Sequence, residues 1–104
     1  MKVVFSFDTE DFVTPETDDA LLGLARTAAR RGIRACFAMV GDKARALATR
    51  RRKDVIDAVK GHDVQYHSNT HMFWPNTSRV ISAMNWDDGL DFVLRHERHG
   101  VEDV

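Results

Sequence analysis

Residues 17–41 read TDDALLGLARTAARRGIRACFAMVG, and this stretch decides the fold. Leu21, Leu24, Ala25 and Ala28 recur at i, i+3, i+4 and i+7, which places one apolar stripe along a helix. Asp18 and Asp19 near its start, and Arg30 and Arg31 near its end, complement the helix dipole, and Gly32 supplies the stop. The spacing predicts a helix from about Thr17 to Arg31. Ile33 to Val40 follows as a strand, with Gly41-Asp42 as a turn and cap.

The neighbouring segments extend the same alternation. Lys2 to Phe7 is a nearly all-apolar run, expected as a parallel strand covered on both faces. Phe12 to Glu16 is a loop in which Pro15 suits a helix start. Lys43 to Thr49 and Asp54 to Lys60 read as helices, the second with Asp54 as N-cap and Val55, Ile56 and Val59 apolar. Gly61-His62-Asp63 breaks that helix before a third strand, Val64 to Tyr66. Residues 72–77 form a loop, and a last helix runs from Trp86 to near Gly100 with Leu90, Val93 and Leu94 as its stripe. The order β-α-β-α-α-β-loop-α, without repeats or linkers, argues for parallel strands joined by right-handed crossovers in a single α/β unit.

The totals narrow the classes. A chain of 104 residues has room for one modest core, and 43% hydrophobic with 30% charged residues describes a folded chain rather than a disordered one. A net charge of −1 gives no field to attract nucleic acid or an anionic membrane. Arg50-Arg51-Arg52-Lys53 reads as a solvated helix junction. The first apolar run is too short for a signal-peptide core or a membrane span, so a cytoplasmic location is expected. The lone cysteine, Cys36, forms no internal disulfide and reads as a small buried side chain.

Sheets of this kind gather function at the carboxyl ends of their strands. Strand one ends in Asp8-Thr9-Glu10-Asp11, and strand three in His67-Ser68-Asn69-Thr70-His71. Two imidazoles four residues apart reach one metal from a helical turn or a tight loop. With one carboxylate they hold a catalytic metal and leave positions open for water.

These two motifs and the βαβ unit between them resemble the polysaccharide deacetylase family, the NodB-homology domain of carbohydrate esterase family four. His67-Ser68-Asn69-Thr70-His71 matches its His-Ser/Thr-x-x-His motif, with both imidazoles on the metal. Ser6-Phe7-Asp8-Thr9-Glu10-Asp11 is a variant of its acidic motif, in which many members have two adjacent aspartates and a glycine. The resemblance covers the chain from about Val3 onward. It implies a deformed (β/α) barrel of which this chain is the N-terminal half, since an ordinary barrel is about twice this length. It also implies a hydrolase of carbon–nitrogen bonds, most simply N-deacetylation of an N-acetylated carbohydrate. Asp8 is then the base, and a divalent metal, zinc or cobalt, is held by His67, His71 and either Glu10 or Asp11.

Two departures accompany the match. After His71 there is no Arg-x-Pro, Pro75 being the later proline. His96 and His99 fall in a helical, charged stretch and read as surface groups, so the family's general acid has no counterpart. The resemblance leaves Ser68 and Thr70 either orienting the imidazoles or satisfying loop backbone groups. Phe73 and Trp74 either stack on a sugar or pack the loop. Losing half a barrel exposes strand edges and apolar helix faces, so self-association is expected. Two alternatives stand beside this reading. One is a non-catalytic metal-binding half-domain. The other is a haloacid-dehalogenase-like phosphatase using Asp8 as nucleophile, which gives the histidine pair no task.

Overall fold

The computed structural model describes residues Met1–Val104. Its elements are β1 (Ser6–Thr9), α1 (Glu16–Arg30), β2 (Cys36–Val40), α2 (Gly41–Thr49), α3 (Lys53–Lys60), β3 (Asp63–Ser68), α4 (Thr77–Ile81) and α5 (Trp86–Asp103). The three strands form one parallel sheet in the order β1-β2-β3, alternating with helices. The sheet is open. No helix is long and apolar enough to cross a membrane.

The alternation of strand side chains explains where the core sits. Phe37 and Met39 point to one face, where α1 brings Leu21, Ala25 and Ala28, α2 brings Leu47, and α3 brings Val55 and Val59. Phe37 and Val55 are fully buried, each worth about 1.5–3 kcal/mol of transfer free energy. The buried His62 closes this core from the β3 side. Its Nδ1 accepts from the Ala35 N–H at 3.2 Å, and its Nε2–H donates to the Ala25 carbonyl at 2.9 Å.

One expectation for β1 is corrected. The strand starts at Ser6 rather than Lys2, and Val3, Val4 and Phe5 are 64%, 78% and 46% exposed. β1 is an edge strand, and on the face opposite Phe37 and Met39 the outer-strand residues Ser6, Asp8, Asp63 and Gln65 are exposed, with Cys36 and Val40 buried only on the central strand. Cys36 is buried and unbridged.

The helix boundaries carry smaller corrections. Asp54 lies inside the first turn of α3 instead of capping it, and its carboxyl is held down to about 2 by hydrogen bonds from Arg52. The basic run is only partly solvated. Arg50 donates to both oxygens of the buried Asp18 at 3.1 Å, and Arg52 pairs with Asp19 and Asp54. Asp18 also accepts from the buried Lys43 at 2.6 Å, so it joins α1 to α2 rather than merely facing the helix dipole. The segment expected as a plain loop leads into α4, whose N-cap is Asn76. α5 continues past Gly100 to Asp103.

Candidate metal centre

Parallel pairing brings the two sequence motifs to the same end of the sheet. Asp8 lies opposite Ala38, and Ala38 opposite Gln65, so all three strands run in register toward that end. Beyond this the pairing slips. Met39 faces Tyr66 but Val40 faces Ser68, which leaves His67 as the extra residue of a bulge. The loop then turns back at His71, whose φ of 51° lies in the left-handed region. That conformation costs about 1 kcal/mol for a residue with a Cβ. Local bonds hold it: the His71 N–H donates to Ser68 Oγ at 3.1 Å, and the His71 carbonyl accepts from Asn76 Nδ2 at 2.8 Å.

The turn places the two imidazoles face to face, with ring centroids 5.2 Å apart and planes inclined by 22°. His71 Nε2 lies 3.0 Å from Glu10 Oε2. One ligand atom from each of Glu10, His67 and His71 falls within 4.8 Å of the others. Tetrahedral ligands about 2.1 Å from a zinc ion stand roughly 3.4 Å apart. The His71–Glu10 pair therefore has to open slightly and the wider separations, within 4.8 Å, to close, which side chains 42%, 29% and 31% exposed can do by rotation. Two imidazole nitrogens and one carboxylate oxygen are a donor set that fits a divalent metal.

The other acidic residues part company here. The Asp8 carboxylate lies 4.0 Å from His67 Nδ1, is 64% exposed, and has no hydrogen-bond partner within the chain. The Asp11 carboxylate instead accepts from the backbone N–H groups of Thr14 and Val13 at 3.1 and 3.0 Å, and these bonds, Thr14's foremost, hold it below the usual carboxylate range. Asp11 thus shapes the turn before α1, and it is Glu10 that stands with the histidines. Phe12 and Phe73 meet edge to face at 4.8 Å and tie the acidic loop to the histidine loop.

Asn69, between the histidines, is the anchor of its loop. Every polar group it owns is used. Its N–H donates to Glu97 Oε2 and its carbonyl accepts from the Asp42 N–H. Its side chain accepts from Arg45 Nη2 and donates to the His96 carbonyl, both at 2.7 Å. Two glycines admit it. A Cβ on Gly41 would lie 2.7 Å from Asn69 Oδ1, and one on Gly100 would lie 2.8 Å from Asn69 Cβ. Gly100 is therefore an interior helix residue where α5 approaches the loop, not the helix stop that the sequence suggests.

Ser68 and Thr70 satisfy the loop. Ser68 accepts the His71 N–H, and Thr70 Oγ1 donates to the Pro75 carbonyl at 2.7 Å. Neither hydroxyl bonds to the ring of His67 or His71. Phe73 packs on Phe12, whereas Trp74 is 75% exposed. The expectation that His96 is a surface group is corrected: its side chain is 11% exposed, stacked on Phe92, with Nε2 3.3 Å from Thr70 Oγ1. His99 is exposed.

A cleft of about 480 Å³ opens beside the imidazoles, walled by Ser68, Met72, Thr77 and Ile81. Asn69, Glu97 and Tyr66 were not singled out by the sequence motifs. The signal available for them is Gly100, which reads as a helix stop but, lying inside α5, marks a close approach. No family model, curated protein or solved structure matches the chain.

Proposed function

We propose that this chain carries the N-terminal half of a metal-dependent hydrolase of carbon–nitrogen bonds, acting on an N-acetylated carbohydrate within a deformed (β/α) barrel. The observation that carries the reading is the convergence of Glu10, His67 and His71, from opposite edges of the sheet, beside a free Asp8 carboxylate. A divalent ion held there, zinc or cobalt, supplies Lewis-acid polarisation of an amide carbonyl and brings the acidity of a water near neutrality. In this reading Asp8, whose carboxylate no donor engages, takes the proton of an attacking water. The cleft beside the imidazoles offers apolar contact from Met72 and Ile81 for a methyl group. The acid for the departing amine is expected from the rest of the barrel. The same reading assigns a covering partner to the exposed Phe5, Trp86, Leu90 and Leu94, so the isolated chain self-associates.

The test is a cobalt titration of the folded chain followed by its visible ligand-field bands. Saturable one-to-one binding is expected, abolished by His67→Ala with His71→Ala. Asp8→Asn should bind the metal normally but lose N-acetyl amide turnover in the assembled barrel. A folded chain with no saturable site overturns the reading. Binding without turnover leaves the non-catalytic half-domain.

A further inference from the structure

Glu97 lies on α5, far in sequence from both motifs, and its carboxylate is the point where three elements and the histidine loop meet. Oε2 accepts from the Asn69 N–H at 3.0 Å and from the Tyr66 hydroxyl, and Oε1 accepts from Thr77 Oγ1 at 2.7 Å. Tyr66 precedes His67 on β3, Asn69 sits between the two histidines, and Thr77 opens α4. One carboxylate thus fixes the chain on both sides of His67 and the start of the segment that follows His71. Charge-assisted bonds of this kind are about twice as strong as neutral ones and far more directional than apolar contact. Burial alone pushes the Glu97 carboxyl up, but the bonds from Tyr66, Thr77 and Asn69 outweigh it and hold the carboxyl below its ordinary value. Burial, then the Glu97 bond, pushes the Tyr66 phenol up.

We infer that Glu97 is the positioning residue of the Glu10–His67–His71 centre, holding the His67–His71 segment in its bulged, left-handed turn so that both imidazoles face Glu10. This rests on reading the triad as a metal centre. It makes α5 a clamp on the site rather than a surface helix. Glu97 touches neither imidazole and acts through the backbone of Asn69.

Glu97→Met keeps the side-chain volume and removes the acceptors, whereas Glu97→Gln restores an acceptor for Asn69. Two readouts are needed: amide exchange at Asn69, without metal, and cobalt affinity with its visible bands. In folded Glu97→Met, exchange at Asn69 is expected to rise about tenfold, the equivalent of one hydrogen bond. Cobalt should bind about tenfold more weakly with shifted bands, and Glu97→Gln should recover most of both. Unchanged exchange and unchanged bands in Glu97→Met overturn the clamp while leaving the metal centre intact. A wild-type chain that binds no cobalt overturns the metal centre, and the exchange result then decides the clamp alone. If Glu97→Met does not fold, the wild type decides. The Asn69 amide must exchange more slowly than the other amides of residues 67–71, and exchange as fast as theirs overturns the proposal.

Discussion

Residues 16–60 and residues 67–103 are both mostly helical, yet different forces hold them. In the first region α1 and α3 press Leu21, Ala25, Val55 and Val59 onto Phe37 and Met39, and apolar burial does the holding. In the second, the buried residues of α5 are Gly89 and Gly100, and Leu90 and Leu94 are 46% and 55% exposed. α5 is held instead by Glu97, by the His96 carbonyl on Asn69, and by Asp103 on Arg45 at 2.7 Å. Apolar contact is strong but tolerant of small shifts, so it suits a scaffold. Hydrogen bonds contribute less each but set direction, so they suit a loop that turns back to stack two imidazoles. The division of labour follows from those two physics.

The sharpest way to break this contrast is to truncate one side chain in each region. Phe37→Ala should destabilise by about 3–5 kcal/mol through a cavity in the core. Leu94→Ala should stay within about 0.5 kcal/mol, as exposed positions do. Urea unfolding measures both, and a Leu94→Ala loss equal to that of Phe37→Ala would show that α5 is apolar-docked after all.

The buried Asp18–Lys43 pair is the polar exception inside the first region, and it sharpens the comparison. Lys43→Met alone should destabilise by about 3 kcal/mol, because it leaves Asp18 buried with only Arg50. Asp18→Leu with Lys43→Met should restore most of that. Burial pushes the Asp18 carboxyl up, but the Lys43 and Arg50 bonds outweigh it and hold it below its ordinary value. A carboxyl depressed on folding adds stability that is complete above its unfolded value, near 4, and fades as pH falls through the lower folded value. Glu97 is depressed in the same sense. Each should therefore contribute an acid limb to the pH profile of unfolding. The double variant removes one of them, and an unchanged limb would count against the pair.

The smallest expected effect is at His71. Asparagine accepts the left-handed region with little cost, so His71→Asn should change stability by less than about 0.5 kcal/mol while abolishing cobalt binding. A large stability loss would mean that the imidazole, rather than the turn, supports the loop.

Much of the scaffold is legible in the residues because it depends on periodicity. Leu21, Ala25 and Ala28 announce their buried stripe, and the βαβ order announces a parallel sheet. The same logic fails at Leu90 and Leu94, where helical spacing identifies the helix but not its docking face. It fails at Val3 and Val4, whose apolar character suggests a second covering layer that is not there. Asp18 and Lys43 are invisible as a pair because their partnership spans 25 residues.

By itself, the sequence determined the β-α-β-α-α-β order with its last helix, the Leu21, Ala25 and Ala28 stripe, and the acidic and histidine motifs at strand ends, since each is a local pattern of residue types; the short α4 left no such pattern. Only the tertiary structure chose Glu10 over Asp11 as the carboxylate beside the imidazoles, because that choice turns on which group is already spent on backbone N–H bonds. It alone brought Glu97 to Asn69, across 28 residues, since a directional contact between distant segments leaves no periodic trace in either.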